Sequence, residues 1–225
     1  MKKNIFLILM LPFFSWGQNI SIDPRNFNSG NIELTRAVNE NRNIKGHPYL
    51  EEDFSISTIE FKDGTTYEGL IRFNIGKDVF EMKSNTSEEI YEFKLKLGVL
   101  ITHYNRTFEA KLLSSEKSIA TFEILVNDTP YSLYKYHKKI IKEPRKDGIA
   151  MPSSNQGNNS DAFWSDQSSL VLMANNQVYE LEKSHKKLLK SGMVDPTKYN
   201  QITKKKKYKL DKIQDVINLV KALNQ

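Results

Sequence analysis

Ser55 to Phe93 reads SISTIEFKDGTTYEGLIRFNIGKDVFEMKSNTSEEIYEF. Short apolar-alternating segments are separated by Asp63-Gly64, Gly76-Lys77-Asp78 and Asn85-Thr86-Ser87. Such residues favour turns, because glycine accepts positive φ and Asn, Asp and Ser bond to nearby backbone. In the middle segment Tyr67, Ile71, Phe73 and Ile75 share one face, with Glu68, Arg72 and Asn74 opposite. A period of two predicts half-buried strands in an antiparallel meander.

The same pattern continues toward the C-terminus. Gly98–Tyr104, Thr107–Leu113, Ala120–Asn127 and Tyr131–Ile141 read as strands, the last two joined by Asp128-Thr129-Pro130. Glu143–Ala162, rich in Pro, Gly, Ser and Asn, reads as a long mobile loop. A strand over Ser168–Ala174 and a partner over Gln177–Leu181 follow it. Hairpin-connected strands in such a series curl or close to protect their edges, so the expected fold is α+β, mainly β: an antiparallel curved sheet or partly open barrel of roughly eight to ten strands. It carries a small C-terminal helical subdomain.

That subdomain begins where the period changes. Ser184 caps a short helix through Lys190 and Gly192 ends it; Asp195-Pro196 opens a second helix to about Thr203. Within Leu210–Leu223, Ile213, Val216, Ile217, Val220 and Leu223 form an amphipathic face expected to pack on the shorter helices or on the sheet.

On the N-terminal side, Gly46-His47-Pro48-Tyr49-Leu50-Glu51-Glu52-Asp53-Phe54 joins a flexible glycine, a proline that keeps His47 extended, and aromatic residues. It is expected to dock on the sheet edge through Tyr49, Leu50 and Phe54. Gln18–Asn43 reads as a mobile arm in which Ile32–Val38 suggests one or two helical turns. Before it, Lys2-Lys3, the apolar run Ile5–Phe14 and the exit Ser15-Trp16-Gly17 have the order of a secretory signal cut ahead of Gln18. The run is broken by Pro12 and falls short of the roughly 20 residues that span a bilayer. The expected divisions are thus residues 1–17 signal peptide, 18–45 arm, 46–181 β-rich domain with loop 143–162, and 182–225 basic helices. The expected location is periplasmic or extracellular, with no integral membrane segment after cleavage.

Gly46–Phe54 followed by a strand, a turn and Arg72-Phe73-Asn74 resembles a group of exported β-rich proteins of Bacteroidota in which a Gly-Ser/Thr-Pro-Tyr segment precedes a strand pair containing Arg-Tyr-Asn. Asp78-Val79-Phe80-Glu81-Met82 matches the next strand of that pattern loosely, and His47 stands where a small residue is usual. The likeness covers Gly46 to the C-terminus. No activity is attached to the group, so the resemblance implies fold and export but no site.

The composition, 39% hydrophobic with 12 Phe and 10 Tyr, fits a folded β-rich body. The absence of cysteine excludes disulfides, thiolate metal sites and a cysteine nucleophile. The formal charge of +6 falls to +4 without Lys2 and Lys3. Twelve lysines against Glu182, Asp195, Asp211 and Asp215 place +8 on residues 182–225, which leaves −4 on residues 18–181.

Chemistry-bearing patterns are sparse. His47, His103, His137 and His185 lack metal-ligand spacing, though His103 and His137 on strands could meet with Glu109 or Glu123. No Gly-x-Ser-x-Gly elbow occurs. Adjacent carboxylates in Glu51-Glu52 and Glu88-Glu89 point to opposite sides of an extended chain. Phe163 and Trp164 are the candidate ligand-binding pair, set against the plainer reading in which they anchor a loop. Lys204, Lys205, Lys206, Lys207 and Tyr208 are the candidate anion-binding residues, with Tyr199 as a second flanking ring, set against a solvated linker. No metal, cofactor or catalytic residue is assigned. The expected function is a non-enzymatic binding or structural role in the cell envelope. Carriage of a small apolar ligand in the curved sheet, or polyanion and acidic-glycan binding by the basic end, are the alternatives. An envelope protein, glycan or lipid is the expected partner, and nucleic acid is disfavoured by export.

Overall fold

A computed structural model of the chain describes residues 20–21, 24, 32–38, 44–84, 86–113, 118–143, 162–175 and 177–225. The expected signal segment 1–17 and nearly all of the expected loop 143–162 lie outside the described residues.

The alternating segments form β3 (Ser55–Glu60), β4 (Thr66–Asn74), β5 (Val79–Lys83) and β6 (Ile90–Phe93), preceded by the two-residue strands β1 (Ile20–Ser21) and β2 (Thr35–Arg36). There follow β7 (Leu100–His103), β8 (Arg106–Leu113), β9 (Ser118–Val126), β10 (Tyr131–Tyr136), β11 (Lys139–Lys142), β12 (Phe163–Asp166), β13 (Ser169–Ala174) and β14 (Gln177–Glu180). Three helices close the chain: α1 (His185–Lys190), α2 (Pro196–Lys205) and α3 (Ile213–Asn224). The main sheet is antiparallel along the order β14-β13-β10-β9-β8-β7-β3-β4-β5-β6-β2, with β1 parallel to β4; β11 and β12 make a separate pair.

The sheet rolls without closing. Phe80 on β5 and Phe108 on β8 stand four strands apart in sheet order, yet their ring centroids are 5.8 Å apart. Phe73 packs on both, at 4.4 and 5.4 Å. These rings, with Ile59, Ile71, Met82 and Ile101, fill the inside of the roll. A hairpin tip approaches the far side in place of a closing strand: Asp78 Oδ2 accepts from the Thr121 amide on β9 (3.4 Å), and the Lys139 amide donates to the Ile75 carbonyl (3.4 Å).

The other half of the sheet is covered by helices. Leu133 and Leu172 share a core with Leu188, Tyr199, Val216, Leu219, Val220 and Leu223. Asn224 fixes the end of α3 to β10, receiving the Tyr131 amide at Oδ1 (3.0 Å) and donating Nδ2 to its carbonyl (2.8 Å). The helices therefore share their core with the sheet.

Several expectations are corrected. Ile32–Val38 is not helical: it contains β2, paired with β6, so this part of the arm lies on the sheet. Tyr131–Ile141 is not one strand. It breaks after Tyr136, where His137 turns inward onto Glu123, and β11 leaves to pair with β12. Phe163-Trp164 belongs to a strand. The second helix runs on to Lys205, since lysines are good helix formers and favourable at a helix C-terminus. On α3, Leu219 is buried, whereas Ile213 is 42% exposed.

Candidate functional site

Gly46–Leu50 continues the edge that β3 leaves free beside β4. Gly46 takes φ of 80°, a conformation that favours glycine. The Leu50 amide then donates to the Phe73 carbonyl (2.9 Å) and the Gly76 amide to the Pro48 carbonyl (3.1 Å), while Tyr49 bridges Asn74. Alternation turns Leu50 toward the core inside the roll and Tyr49 to the outer face.

On that outer face Arg72 is fully engaged. Its guanidinium lies 3.7 Å from the Tyr49 ring centre and 4.3 Å from that of Phe54. Nε donates to Glu81 Oε2 (2.8 Å), Nη2 to the Tyr49 hydroxyl (2.8 Å), and Nη1 to the Glu52 carbonyl (3.1 Å). Glu81 is 3% exposed, and its other oxygen accepts from Asn74 Nδ2 (2.9 Å). Burial, reinforced by the Glu81 charge, raises the Tyr49 phenol above its ordinary pKa. The outer face of β4 is thus a desolvated polar layer, where alternation alone suggests a solvated one.

Above this layer opens a cleft of about 470 Å³ lined by Val38, His47, Tyr49, Arg72, Lys77, Glu92 and Trp164 among others. Trp164 is placed by backbone bonds: the Lys45 amide donates to the Ala162 carbonyl (2.8 Å), and the Trp164 amide to the Lys45 carbonyl (3.1 Å). Its indole rests on Gly76, where a Cβ would lie 2.7 Å from Cζ3 and 2.9 Å from the Pro48 side chain. Only a residue without a side chain admits the ring there. Lys77 at the rim pairs with Glu92 (2.8 Å). Lys139 donates Nζ to the carbonyls of His47 (3.1 Å) and Tyr49 (2.7 Å), and burial lowers its pKa. His47 Nδ1 is buried without a partner. The site volume is that of a small-molecule pocket.

The two aromatic candidates separate. Trp164 lines the cleft, whereas Phe163, its neighbour along β12, lies outside the lining and is 44% exposed. Lys204 to Lys207 are all exposed, the first two on the last turn of α2. Tyr208 and Tyr199 are buried, so neither offers a ring for stacking. Tyr49, Arg72, Asn74, Glu81, Lys77 and Glu92 went unrecognised as one constellation. The available signal was the row of polar residues on β4 and β5 beside an aromatic-rich edge segment.

A second polar group lies on the inner side of the roll. His103 is fully buried, with Nδ1 2.7 Å from Ser57 Oγ and 3.1 Å from Ser55 Oγ. Ser57 Oγ also lies 3.2 Å from the Ser55 carbonyl. Nε2 faces Glu51 Oε2 at 3.9 Å, and both atoms lack a partner. Arg106 holds the other Glu51 oxygen (2.5 Å) and lies 4.0 Å from Glu123, which pairs with His137 (2.6 Å). A serine nucleophile needs exposure, an acceptor nitrogen on the serine side and a donor on the carboxylate side. This serine is 2% exposed, and the 3.9 Å from Nε2 to Glu51 is beyond hydrogen-bond distance.

His103 and His137 thus stand in one chain of contacts with Arg106 as its cation; Glu109 pairs instead with Lys111 (2.9 Å). Among the described residues no group of three or more His, Asp or Glu is arranged to hold a metal ion, and no helix is long and apolar enough to cross a membrane.

No protein-family model matches the chain, and comparison with curated proteins and with solved structures finds no similar protein.

Proposed function

We propose that the protein is an exported, non-catalytic binding component of the bacterial cell envelope, whose ligand seats against Trp164 in the cleft. The observation that carries this reading is the meeting of a flat indole wall with polar groups whose charges are already neutralised, Arg72 by Glu81 and Lys77 by Glu92. Such a surface favours a compact, uncharged, hydroxyl-rich ligand with one apolar face, the chemistry of a saccharide ring. Carriage of an apolar ligand inside the roll finds less support, because Phe73, Phe80 and Phe108 occupy that space. Export is supported by the charge, apolar run and small-residue exit of residues 1–17.

Cleavage before Gln18 removes Trp16 and leaves Trp164 as the sole tryptophan of the chain, since the sequence has 2. Its emission therefore reports directly on the cleft. Titration of the cleaved protein with a panel of neutral oligosaccharides should give saturable quenching or a shift with at least one member. Gly76→Ala, which displaces the indole, should weaken that response by roughly tenfold, the consequence of about 1.4 kcal/mol. No response across the panel, or an unchanged affinity in Gly76→Ala, overturns the saccharide assignment. An N-terminus other than Gln18 on protein recovered from the envelope overturns the cleavage site.

A further inference from the structure

We infer that the helical end carries a composite docking surface for a linear acidic glycan, formed by α1 together with residues 204–209. These two basic segments are separated in sequence by the loop and most of α2; Leu188, Tyr199 and Tyr208 share one core, and a polar side chain adds a direct link. His185 at the start of α1 lies with Nε2 2.9 Å from the Tyr208 carbonyl and Nδ1 2.5 Å from the Tyr199 hydroxyl. A carbonyl only accepts, so Nε2 donates and Nδ1 receives the Tyr199 proton. Burial pushes the Tyr199 phenol up to about 12, which keeps that donor protonated.

The consequence is a joined field of cations. Lys186 and Lys190 lie on the side of α1 opposite buried Leu188 and are exposed, as are Lys204, Lys205, Lys206, Lys207 and Lys209; exposed Lys187 is paired with Glu182. Of the four acids of this end, Glu182 pairs with Lys187, Asp195 accepts from the Thr197 amide (2.8 Å) and Asp215 from the Lys209 amide (2.9 Å), while Asp211 is exposed beside Lys209 and Lys212.

The partner follows from what accompanies the charge. Single-stranded nucleic acid is held by lysines together with stacking rings, and both tyrosines here are buried. Binding in a membrane interface needs an exposed apolar helix face, and Val216, Leu219, Val220 and Leu223 are spent on the sheet. A flexible polymer bearing sulfate or carboxylate at sugar spacing needs only an extended row of ammonium groups, and it would be held by counterion release with strong salt dependence. This surface stands apart from the Trp164 cleft and does not depend on it.

The test uses the full cleaved chain on immobilised heparin and on immobilised polygalacturonate. Lys186→Gln with Lys190→Gln, and separately Lys204 to Lys207→Gln, should each lower the eluting salt, and the combined variant should abolish retention. Lysine-to-arginine versions of both sets should retain binding. A control replaces four exposed lysines of the β body, Lys94, Lys96, Lys138 and Lys142, with Gln. If the control weakens retention as much as the Lys204 to Lys207 set, or if either helical set alone leaves retention unchanged, the composite surface is overturned. Tighter binding to phosphatidylglycerol vesicles or to a single-stranded oligonucleotide than to either glycan overturns the choice of partner.

Discussion

Two polar groups lie on opposite faces of one sheet, on β4 and β5 outside the roll and on β3, β7, β8 and β9 inside it, and both are tied to the Gly46–Phe54 segment, one through Tyr49 and the other through Glu51. Outside the roll, every polar atom of the Arg72 and Glu81 pair has a partner, and two aromatic rings cover the guanidinium. Inside, His103 Nε2 and Glu51 Oε2 face each other at 3.9 Å, too far for a hydrogen bond, and at the hairpin tip Asp78 Oδ1 is also buried and unpartnered. A complete network stabilises the fold only while all its members remain. An incomplete one already carries a desolvation penalty that mutation or protonation can relieve.

The largest effect should come from breaking the complete network. Arg72→Met leaves Glu81 buried as an uncompensated carboxylate and releases Tyr49 and Phe54, which predicts a loss of about 3–5 kcal/mol. Urea denaturation of Arg72→Met should show it, and Arg72→Met with Glu81→Gln should recover much of the loss. A cost below about 1 kcal/mol for the single variant, the value of a surface pair, would remove the distinction between the two groups.

Next comes relief of a penalty at Asp78. Burial lifts its carboxyl from 3.8 to about 6, against the pull of the Thr121 bonds and the Lys94 charge. A carboxyl with a raised folded pKa favours folding in its protonated form. Its contribution is therefore fully present below about pH 4 and lost as the pH rises through about 6. Asp78→Asn keeps an acceptor for the Thr121 amide and suits the positive φ of 55° at this position. The variant should gain on the order of 3 kcal/mol at neutral pH and nothing below pH 4, read as the difference in unfolding free energy across that range.

The comparison also locates what a sequence can disclose. Alternation reveals the strands because one face of each must meet the core, and the capping residues Ser184 and Asp195 reveal helix starts because they satisfy local amides. It does not reveal that Arg72, Asn74 and Glu81 are covered, because their lids, Tyr49 and Phe54, arrive from another segment and polar residues on alternate positions look solvated. Trp164 is conspicuous as an aromatic after a polar stretch. Its wall is not, since Gly76 reads simply as a turn residue until the fold lays an indole across it. The composite basic surface was visible as charge, whereas its joining by His185 depends on tertiary contacts.

The smallest effect concerns His103, where burial lowers the imidazole pKa, opposed by Glu51 and assisted by Arg106. A base with a depressed folded pKa contributes stability that is present above its unfolded pKa of about 6.5 and lost as the pH falls. Acid should therefore weaken the wild-type fold through His103 over the same range in which Asp78 strengthens it, so the measurement belongs in the Asp78→Asn background. There, the urea midpoint should fall between pH 7.5 and pH 5.5, and His103→Asn, whose amide can still donate to Ser57 but does not titrate, should flatten that fall. An equal slope in both proteins would mean that protonated His103 finds Glu51 as a partner across the 3.9 Å gap, and the inner group would then be a latent ion pair completed by acid.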